Sequence, residues 1–361
     1  MPVAAGNGRP PVSGGNSMNT HARGEYRRSY TVEDMDEAHN SVRLAPGREG
    51  SSPGPVMVIG GAEDKLGERV VLARFVQLAG GPDARIAVIS TASSLGDAAT
   101  ELYRQIFARF GVHDVRGLRP ETREEANDPT MVETLKNATG IFMTGGNQLR
   151  LSSVIGGTKL GAAILEAHGR GAVVAGTSAG ASAVATHMMA FGSSGATPKH
   201  RMAHVSVGLG LLVNVVVDQH FEQRTRLGRL LAVVAQSPAL IGLGLDEDTA
   251  AIVDADDVLE VIGRGSVTVV DGSDVITDAF HASGHKPMMV SNARIHSLPS
   301  GYRFDLRARR VLPLDVSKNE RIAALAQGRI GKLARQVAAE GADSRAPERR
   351  RYRQEDRKAS E

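Results

Sequence analysis

The chain has 361 residues, 41% hydrophobic and 23% charged, a balance typical of a soluble globular protein with a large core. A formal charge of only +3 gives no reason to expect a nucleic-acid partner. The absence of cysteine excludes disulfides, thiolate zinc sites and a thiol nucleophile. No apolar run approaches the ~20 residues of a membrane span, and the first ~30 residues lack the apolar segment of a secretory signal. We therefore expect a cytoplasmic protein with no membrane partner.

Two weakly patterned ends flank a patterned core. Residues 1–54 are rich in Gly, Pro, Ser and charge, which predicts a disordered N-terminal extension. Residues 55–315 are predicted to form one α/β domain. Apolar residues at helical spacing predict an amphipathic C-terminal helix over 316–341. Residues 342–361 are predicted to be a disordered charged tail.

Short apolar strands alternate with helices through the first part of the core. The predicted strands cover 56–59, 85–91, 140–144 and 171–175, and the predicted helices cover 66–78, 98–110 and 161–169. This alternation indicates a mostly parallel sheet sandwiched by helices. Ligands bind such sheets at the carboxyl ends of the strands, where several glycine pairs lie. Short strands between about 250 and 271 predict a small antiparallel extension.

The pentapeptide G-T-S-A-G, residues 176–180, joins an apolar strand to a run of good helix formers. Its two glycines allow a tight turn that lifts Ser178 clear of the sheet, which is how a serine becomes an exposed nucleophile. The pattern is short, and alone it is equally consistent with a turn that has no chemical role.

A nucleophilic serine needs a base, and His220 is the best candidate by context. It closes the apolar run that begins at Asn214, so it lies at a strand end, where the site is expected. His187, His200 and His204 are weaker rivals. A single histidine at a strand end more often has a purely structural role.

The base in turn needs an acid to orient it. Asp246, Glu247 and Asp248 lie together at the end of another apolar strand. A solvated acidic turn is the alternative, and the residues alone do not decide which of the three would act. A serine, a histidine and an acid that all lie at strand ends favour catalysis.

Five motifs together resemble the cyanophycinases, which belong to the same serine peptidase family as the aspartyl dipeptidase peptidase E. The motifs are G-G-A-E-D-K (60–65), T-G-G-N-Q (144–148), G-T-S-A-G-A (176–181), D-Q-H-F-x-x-R-x-R-x-x-R-L (218–230) and D-E-D-T-A (246–250). The resemblance spans roughly residues 54–312. It implies an α/β fold of the class I glutamine amidotransferase type, which is flavodoxin-like.

The resemblance also implies roles for individual residues. Ser178 matches the nucleophile, His220 the general base and Glu247 the acid. The oxyanion hole is expected to use the N–H groups of Gly146 and Ala179. The order serine, histidine, acid differs from that of an α/β-hydrolase, in which the acid precedes the histidine.

The implied activity is that of a serine exopeptidase, acting as a homodimer without metal or cofactor. It hydrolyses cyanophycin, a polyaspartate that carries arginine on its β-carboxyls, to β-Asp-Arg dipeptides through an acyl-enzyme. Such a substrate needs cations for its carboxylates and acceptors for its guanidinium groups. The expected cations lie on a helix after His220 and are Arg224, Arg226 and Arg229. The expected acceptors are Gln148, Asp218 and Gln219.

Each of these expectations has an alternative. The three arginines could be no more than a solvated helix face. A related enzyme that cleaves aspartyl or isoaspartyl dipeptides would lack that cationic face. A non-catalytic binding protein on the same scaffold would be expected to lack the serine, the histidine or the acid. The segment 192–198 is little constrained by the family pattern.

Overall fold

The computed structural model describes residues 43–44, 52–281 and 284–313. The predicted C-terminal helix and charged tail lie outside the described residues, as does most of the predicted N-terminal extension. Within that extension, Arg43–Leu44 forms a short strand that pairs with residues 212–213.

The strands and helices follow one another in a largely alternating order through the first half of the described chain. The strands are β1 (Arg43–Leu44), β2 (Val56–Ile59), β3 (Arg85–Ile89), β4 (Asp114–Leu118), β5 (Gly140–Met143), β6 (Val173–Thr177), β7 (Ala185–Gly192), β8 (Ala203–Val207), β9 (Leu212–Gln219), β10 (Ile241–Leu245), β11 (Thr249–Val253), β12 (Val258–Gly263), β13 (Ser266–Asp271), β14 (Ile276–Thr277), β15 (Val290–Ser291), β16 (Arg294–Pro299), β17 (Arg303–Asp305) and β18 (Arg310–Val311). The helices are α1 (Val70–Leu78), α2 (Asp97–Ala108), α3 (Pro129–Lys136), α4 (Gln148–Ile155), α5 (Lys159–Gly169), α6 (Ala179–Ala183) and α7 (Leu227–Gln236).

The larger sheet has nine strands in the order β18-β17-β12-β11-β2-β6-β5-β3-β4. Its five strands from β2 to β4 are parallel, and its other four pair antiparallel. Parallel strands need crossover connections, and helices supply most of them here. The α/β class and the parallel core predicted from the strand pattern are therefore confirmed.

A second sheet, which the strand pattern did not predict, has the order β16-β13-β10-β9-β7-β8, with β1 paired to β9. Strands β7, β9 and β10 are parallel, whereas β8, β13 and β16 pair antiparallel. The strand that precedes His220 therefore belongs to a different sheet from the strand that precedes Ser178.

The pleat of β2 shows how the core is divided. Val58 belongs to a buried cluster that also contains Val217 of β9 and Leu245 of β10, so this cluster joins the two sheets. Ile59 points to the opposite face, into a cluster with Phe75 of α1 and Phe142 of β5. Because both faces of these strands are covered, their sequences are apolar throughout instead of alternating.

Three helix predictions require correction. The helix predicted from Leu66 begins at Val70, because the Asp64 carboxylate accepts the N–H groups of residues 66, 67 and 69 and holds them in a turn. The helix after Ser178 has only five residues, and β7 follows at once. The helix after His220 begins at Leu227, so Arg224 and Arg226 precede it instead of lying on its face.

Candidate active site

Ser178 lies on a strained turn between β6 and α6. Its backbone has φ 51° and ψ −109°, a conformation that non-glycine residues rarely adopt. Its N–H donates to the carbonyl of Ile59 at 3.0 Å. A Cβ on Gly180 would lie 2.5 Å from the carbonyl oxygen of Met143, so the tight turn requires glycine there. The turn leaves the half-buried Ser178 side chain at the carboxyl edge of the parallel strands.

His220 follows β9 and reaches Ser178 from the second sheet. Its Nε2 lies 2.8 Å from Ser178 Oγ, which is hydrogen-bond distance. The His220 N–H donates to the carbonyl of Gly60 at 2.9 Å, which connects the base to the end of β2. A Cβ on Gly61 would lie 2.4 Å from the imidazole Cε1, so the ring packs where only glycine fits.

Glu247 is the acid that meets the histidine. Its Oε1 lies 2.6 Å from His220 Nδ1, while its backbone N–H donates to the side chain of Gln223. The two neighbouring acids have other partners. Asp246 accepts from Ser266 and from the N–H of residue 222, and Asp248 accepts from the N–H of residue 64. The structure thus distinguishes three acids that the sequence left equivalent.

His220 is also the histidine that contacts Ser178, unlike its three rivals. The ring of His204 stacks on Phe191 at a centroid distance of 4.4 Å. The backbone N–H of His200 donates to the carbonyl of Lys286. His187 lies on β7, where its backbone pairs with Val207 and Val216.

The environment of His220 favours the neutral imidazole. Burial lowers its pKa below the ordinary value, and the nearby Arg224 and Arg226 guanidinium groups lower it further. The hydrogen bond with Glu247 opposes this shift, because it stabilises the imidazolium. A neutral imidazole that contacts a serine hydroxyl can accept its proton, as nucleophilic catalysis requires.

Gly146, which is predicted to supply one N–H of the oxyanion hole, follows Gly145 in a turn against the nucleophile. A Cβ on Gly145 would be 3.2 Å from Ser178 Cβ, so this turn packs directly on the serine. Gly146 follows with φ 142°. Ala179 is the first residue of α6, and its N–H therefore has no intrahelical acceptor. Their role as oxyanion donors stays a prediction.

The residues predicted to bind substrate are mostly bonded to one another. Asp218 is fully buried and pairs with both Arg229, through two hydrogen bonds, and Arg226. Arg226 also donates to the side chain and the carbonyl of Gln219. Gln148 donates to two carbonyls of β7. We call Asp218, Gln219, Arg226 and Arg229 the buried arginine cluster.

Arg224 differs from the other two arginines because its side chain is exposed. Arg226 and Arg229 are both buried, and burial lowers the pKa of Arg226 to about 10. That pKa still leaves Arg226 charged at neutral pH. The prediction that all three arginines lie on one helix is therefore wrong, and two of them are buried because Asp218 needs cationic partners in place of solvent.

The sequence interpretation gave no role to Gly61 or Gln223, although both contact residues of the site. The signal for Gly61 was its place in a glycine pair at the end of a buried strand. No local signal marks Gln223. Within the described ranges, no group of three or more His, Asp or Glu side chains could hold a metal ion, and no helix is long and apolar enough to cross a membrane.

Comparison with known proteins shows the class to which this protein belongs. In this α/β fold a half-buried serine contacts a histidine, which in turn contacts a glutamate, and such an arrangement is compatible with a serine hydrolase. The sequence model described as "Peptidase family S51" matches residues 56–261 of the chain. The protein therefore belongs to peptidase family S51.

Several relatives carry the name cyanophycinase. The one from Synechococcus elongatus is 43% identical over 260 residues, which cover 72% of this chain and 81% of the relative. The one from a Nostoc species is 41% identical over 260 residues and covered to 87% of its length. A crystal structure of a peptidase from an acI-B1 actinobacterium is similar in fold, with a TM-score of 0.55 and 23% identity over 71% of this chain and 98% of that one.

Proposed function

We propose that this protein hydrolyses cyanophycin to β-Asp-Arg dipeptides through an acyl-enzyme on Ser178. The observation that carries the proposal is the unbroken series of contacts from Ser178 Oγ to His220 and from His220 to Glu247, at 2.8 and 2.6 Å. Relatives at 40% identity or more, covered over most of their length, are named cyanophycinases. These two observations together support both the chemistry and the substrate.

In this mechanism the neutral His220 accepts the Ser178 proton at Nε2 while Oγ attacks the α-peptide carbonyl between two backbone aspartates. Glu247 accepts the Nδ1 proton in a hydrogen bond and stabilises the imidazolium that forms. The N–H groups of Gly146 and Ala179 stabilise the oxyanion. His220 then protonates the leaving amine, and the same residue activates the water that hydrolyses the acyl-enzyme.

For substrate recognition we assign the direct contact to Arg224. It is the exposed arginine of the three, and its charge is close enough to His220 to lower the pKa of that ring. A guanidinium pairs well with the carboxylates of a polyaspartate backbone. We propose that the buried arginine cluster and Gln148 support β7 at one side of the site without contacting the substrate. Arg229 donates to the carbonyl of Gly192 at the end of β7, and Gln148 donates to two carbonyls of the same strand.

A homodimer and a cytoplasmic location complete the proposal. The dimer is supported by the family resemblance alone, and the location by composition. Light scattering behind size-exclusion chromatography would test the dimer, since a monomer mass near 38 kDa at working concentration contradicts it. Fractionation of the source cells would test the location.

The experiment that tests the activity uses the full chain and insoluble cyanophycin. Soluble products are identified by mass spectrometry, and Ser178→Ala serves as the matched inactive control. We expect β-Asp-Arg dipeptides from the wild type alone. Cleavage of free aspartyl or isoaspartyl dipeptides without release from the polymer would instead establish the dipeptidase alternative. Tight binding of the polymer without turnover would establish a binding protein.

A further inference from the structure

The carboxylate of Glu63 is buried beside the site, four residues after the end of β2, and has no part in the mechanism above. Its side chain is only 1% exposed and accepts three hydrogen bonds from other side chains. Oε1 accepts from Tyr103 Oη at 2.5 Å and from Lys65 Nζ at 2.9 Å, and Oε2 accepts from Thr177 Oγ1 at 2.6 Å. A buried carboxylate needs such partners, and Lys65 also offsets its charge.

The third of these bonds ends on the residue immediately before the nucleophile. Thr177 is the last residue of β6, and Ser178 then takes its strained φ of 51°. Strain of this kind persists only where the surroundings hold it. The Ser178 N–H is held by Ile59, and the Thr177 side chain by Glu63.

The same segment of chain also holds the base and the acid. The carbonyl of Gly60 accepts the N–H of His220, and the carbonyl of Gly61 accepts the N–H of Asp248, next to Glu247. Residues 59–63 therefore contact the turn at Ser178 on one side. On the other side they contact His220 and the acidic residues 246–248. The hydrogen bond that Thr177 Oγ1 donates to Glu63 is the fourth contact of this segment with the site.

We propose that Glu63 is a positioning residue, which fixes the serine turn relative to His220 through its hydrogen bond to Thr177. The inference rests on the proposed role of Ser178 as nucleophile. Without this bond the turn loses its side-chain tie to residues 59–63, and Oγ loses its fixed approach to Nε2. A misplacement of about 1 Å can lower a rate by about 100-fold.

The test measures covalent labelling of Ser178 by a small uncharged fluorophosphonate, together with kcat and KM on a small ester. Thr177→Val keeps the shape of the side chain but removes the bond to Glu63, and it should slow labelling and lower kcat at least about tenfold. KM should not change. The pH at the midpoint of the rise in kcat/KM should not change either, because the partners of His220 remain. Thr177→Ser keeps the hydroxyl and should restore labelling to within about twofold.

Thr100→Val is the matched control. It also removes a buried threonine hydroxyl that bonds one side chain, Ser90 Oγ at 2.9 Å, between α2 and the end of β3 and not beside the nucleophile. It should lower the melting temperature about as much as Thr177→Val and leave labelling unchanged. Glu63→Ala should slow labelling at least as much as Thr177→Val does, since it also removes the bonds from Tyr103 and Lys65. The double variant should label no more slowly than Glu63→Ala alone, because the bond that Thr177→Val removes is already lost in Glu63→Ala.

The inference would be overturned if Thr177→Val is labelled at the wild-type rate. It would also be overturned if the labelling rate falls equally in Thr177→Val, Thr177→Ser and Thr100→Val. The labelling step uses no polymer, so its outcome is separate from the substrate proposal. A wild-type protein that labels at Ser178 but leaves cyanophycin intact would overturn only that proposal. A wild-type protein that does not label at Ser178 would overturn the nucleophile assignment and this inference together.

Discussion

Arg229→Ala should destabilise the fold, whereas Arg224→Ala should not. Arg229 is buried and donates two hydrogen bonds to Asp218, which is itself fully buried. Removing one partner of a buried ion pair costs about 3–5 kcal/mol, because the remaining charge is left uncompensated. Arg226 Nη1 still lies 3.2 Å from Asp218 Oδ1, so we expect the lower end, about 3 kcal/mol.

The measurement is thermal unfolding of the two alanine variants beside the wild type. For a domain of this size each kcal/mol shifts the melting temperature by about 2–4 °C, so Arg229→Ala should lower it by roughly 6–12 °C. Arg224 is exposed, and its loss should change the unfolding free energy by no more than about 0.5 kcal/mol. In kcat/KM on cyanophycin, Arg224→Ala should instead lose about ten- to a hundred-fold.

Either of two results would refute this division of roles. Suppose that Arg229→Ala has the wild-type melting temperature but a lower kcat/KM on cyanophycin. Arg229 would then bind substrate directly, and its buried pairing with Asp218 would not stabilise the fold. If Arg224→Ala is fully active on the polymer, the proposed contact with substrate carboxylates is wrong.

Three further predictions concern the proton transfer. Ser178→Ala should lower kcat on the order of a million-fold with an unchanged melting temperature; activity within tenfold of wild type would exclude the acyl-enzyme. Glu247→Gln keeps the shape of the side chain but removes the charge that stabilises the imidazolium, so kcat should fall on the order of 10⁴-fold, and a fully active variant would exclude Glu247 as the orienting acid. kcat/KM should rise with pH as His220 loses its proton and then level off, and since burial lowers this pKa, the midpoint should lie below about 6.5; a midpoint above 7 would contradict the assignment.

The parts of the molecule that could be predicted from sequence are those with strong local signals. A buried parallel strand such as β2 is apolar along its whole length, and the turn at Ser178 has glycines where a Cβ would collide with another chain segment. These signals need no knowledge of distant residues. Glu247, by contrast, was one of three adjacent acids, and only the tertiary structure shows which carboxylate reaches His220.

The arginines illustrate the opposite case. The sequence predicts that all three lie on one helix after His220 and bind substrate, with a solvated helix face as the alternative. The signal against that interpretation was Asp218, a carboxylate that ends a strongly apolar strand. A charge in that position needs an opposite charge nearby, and the next arginines in the chain are the nearest candidates. The second sheet had no comparable local signal, since strand pairing depends on residues far apart in sequence.

The link from β10 to β11 has only three residues, Asp246 to Asp248, yet it crosses from the smaller sheet to the larger. Glu247 therefore lies at the junction, with the histidine on one sheet and the serine on the other. The reacting distance between Oγ and Nε2 is then a measure of how closely two independent layers dock. A slight separation of the layers, too small to unfold either one, would open that distance first. On heating, this protein should therefore lose activity before it loses secondary structure, because catalysis depends directly on the contact between its two sheets.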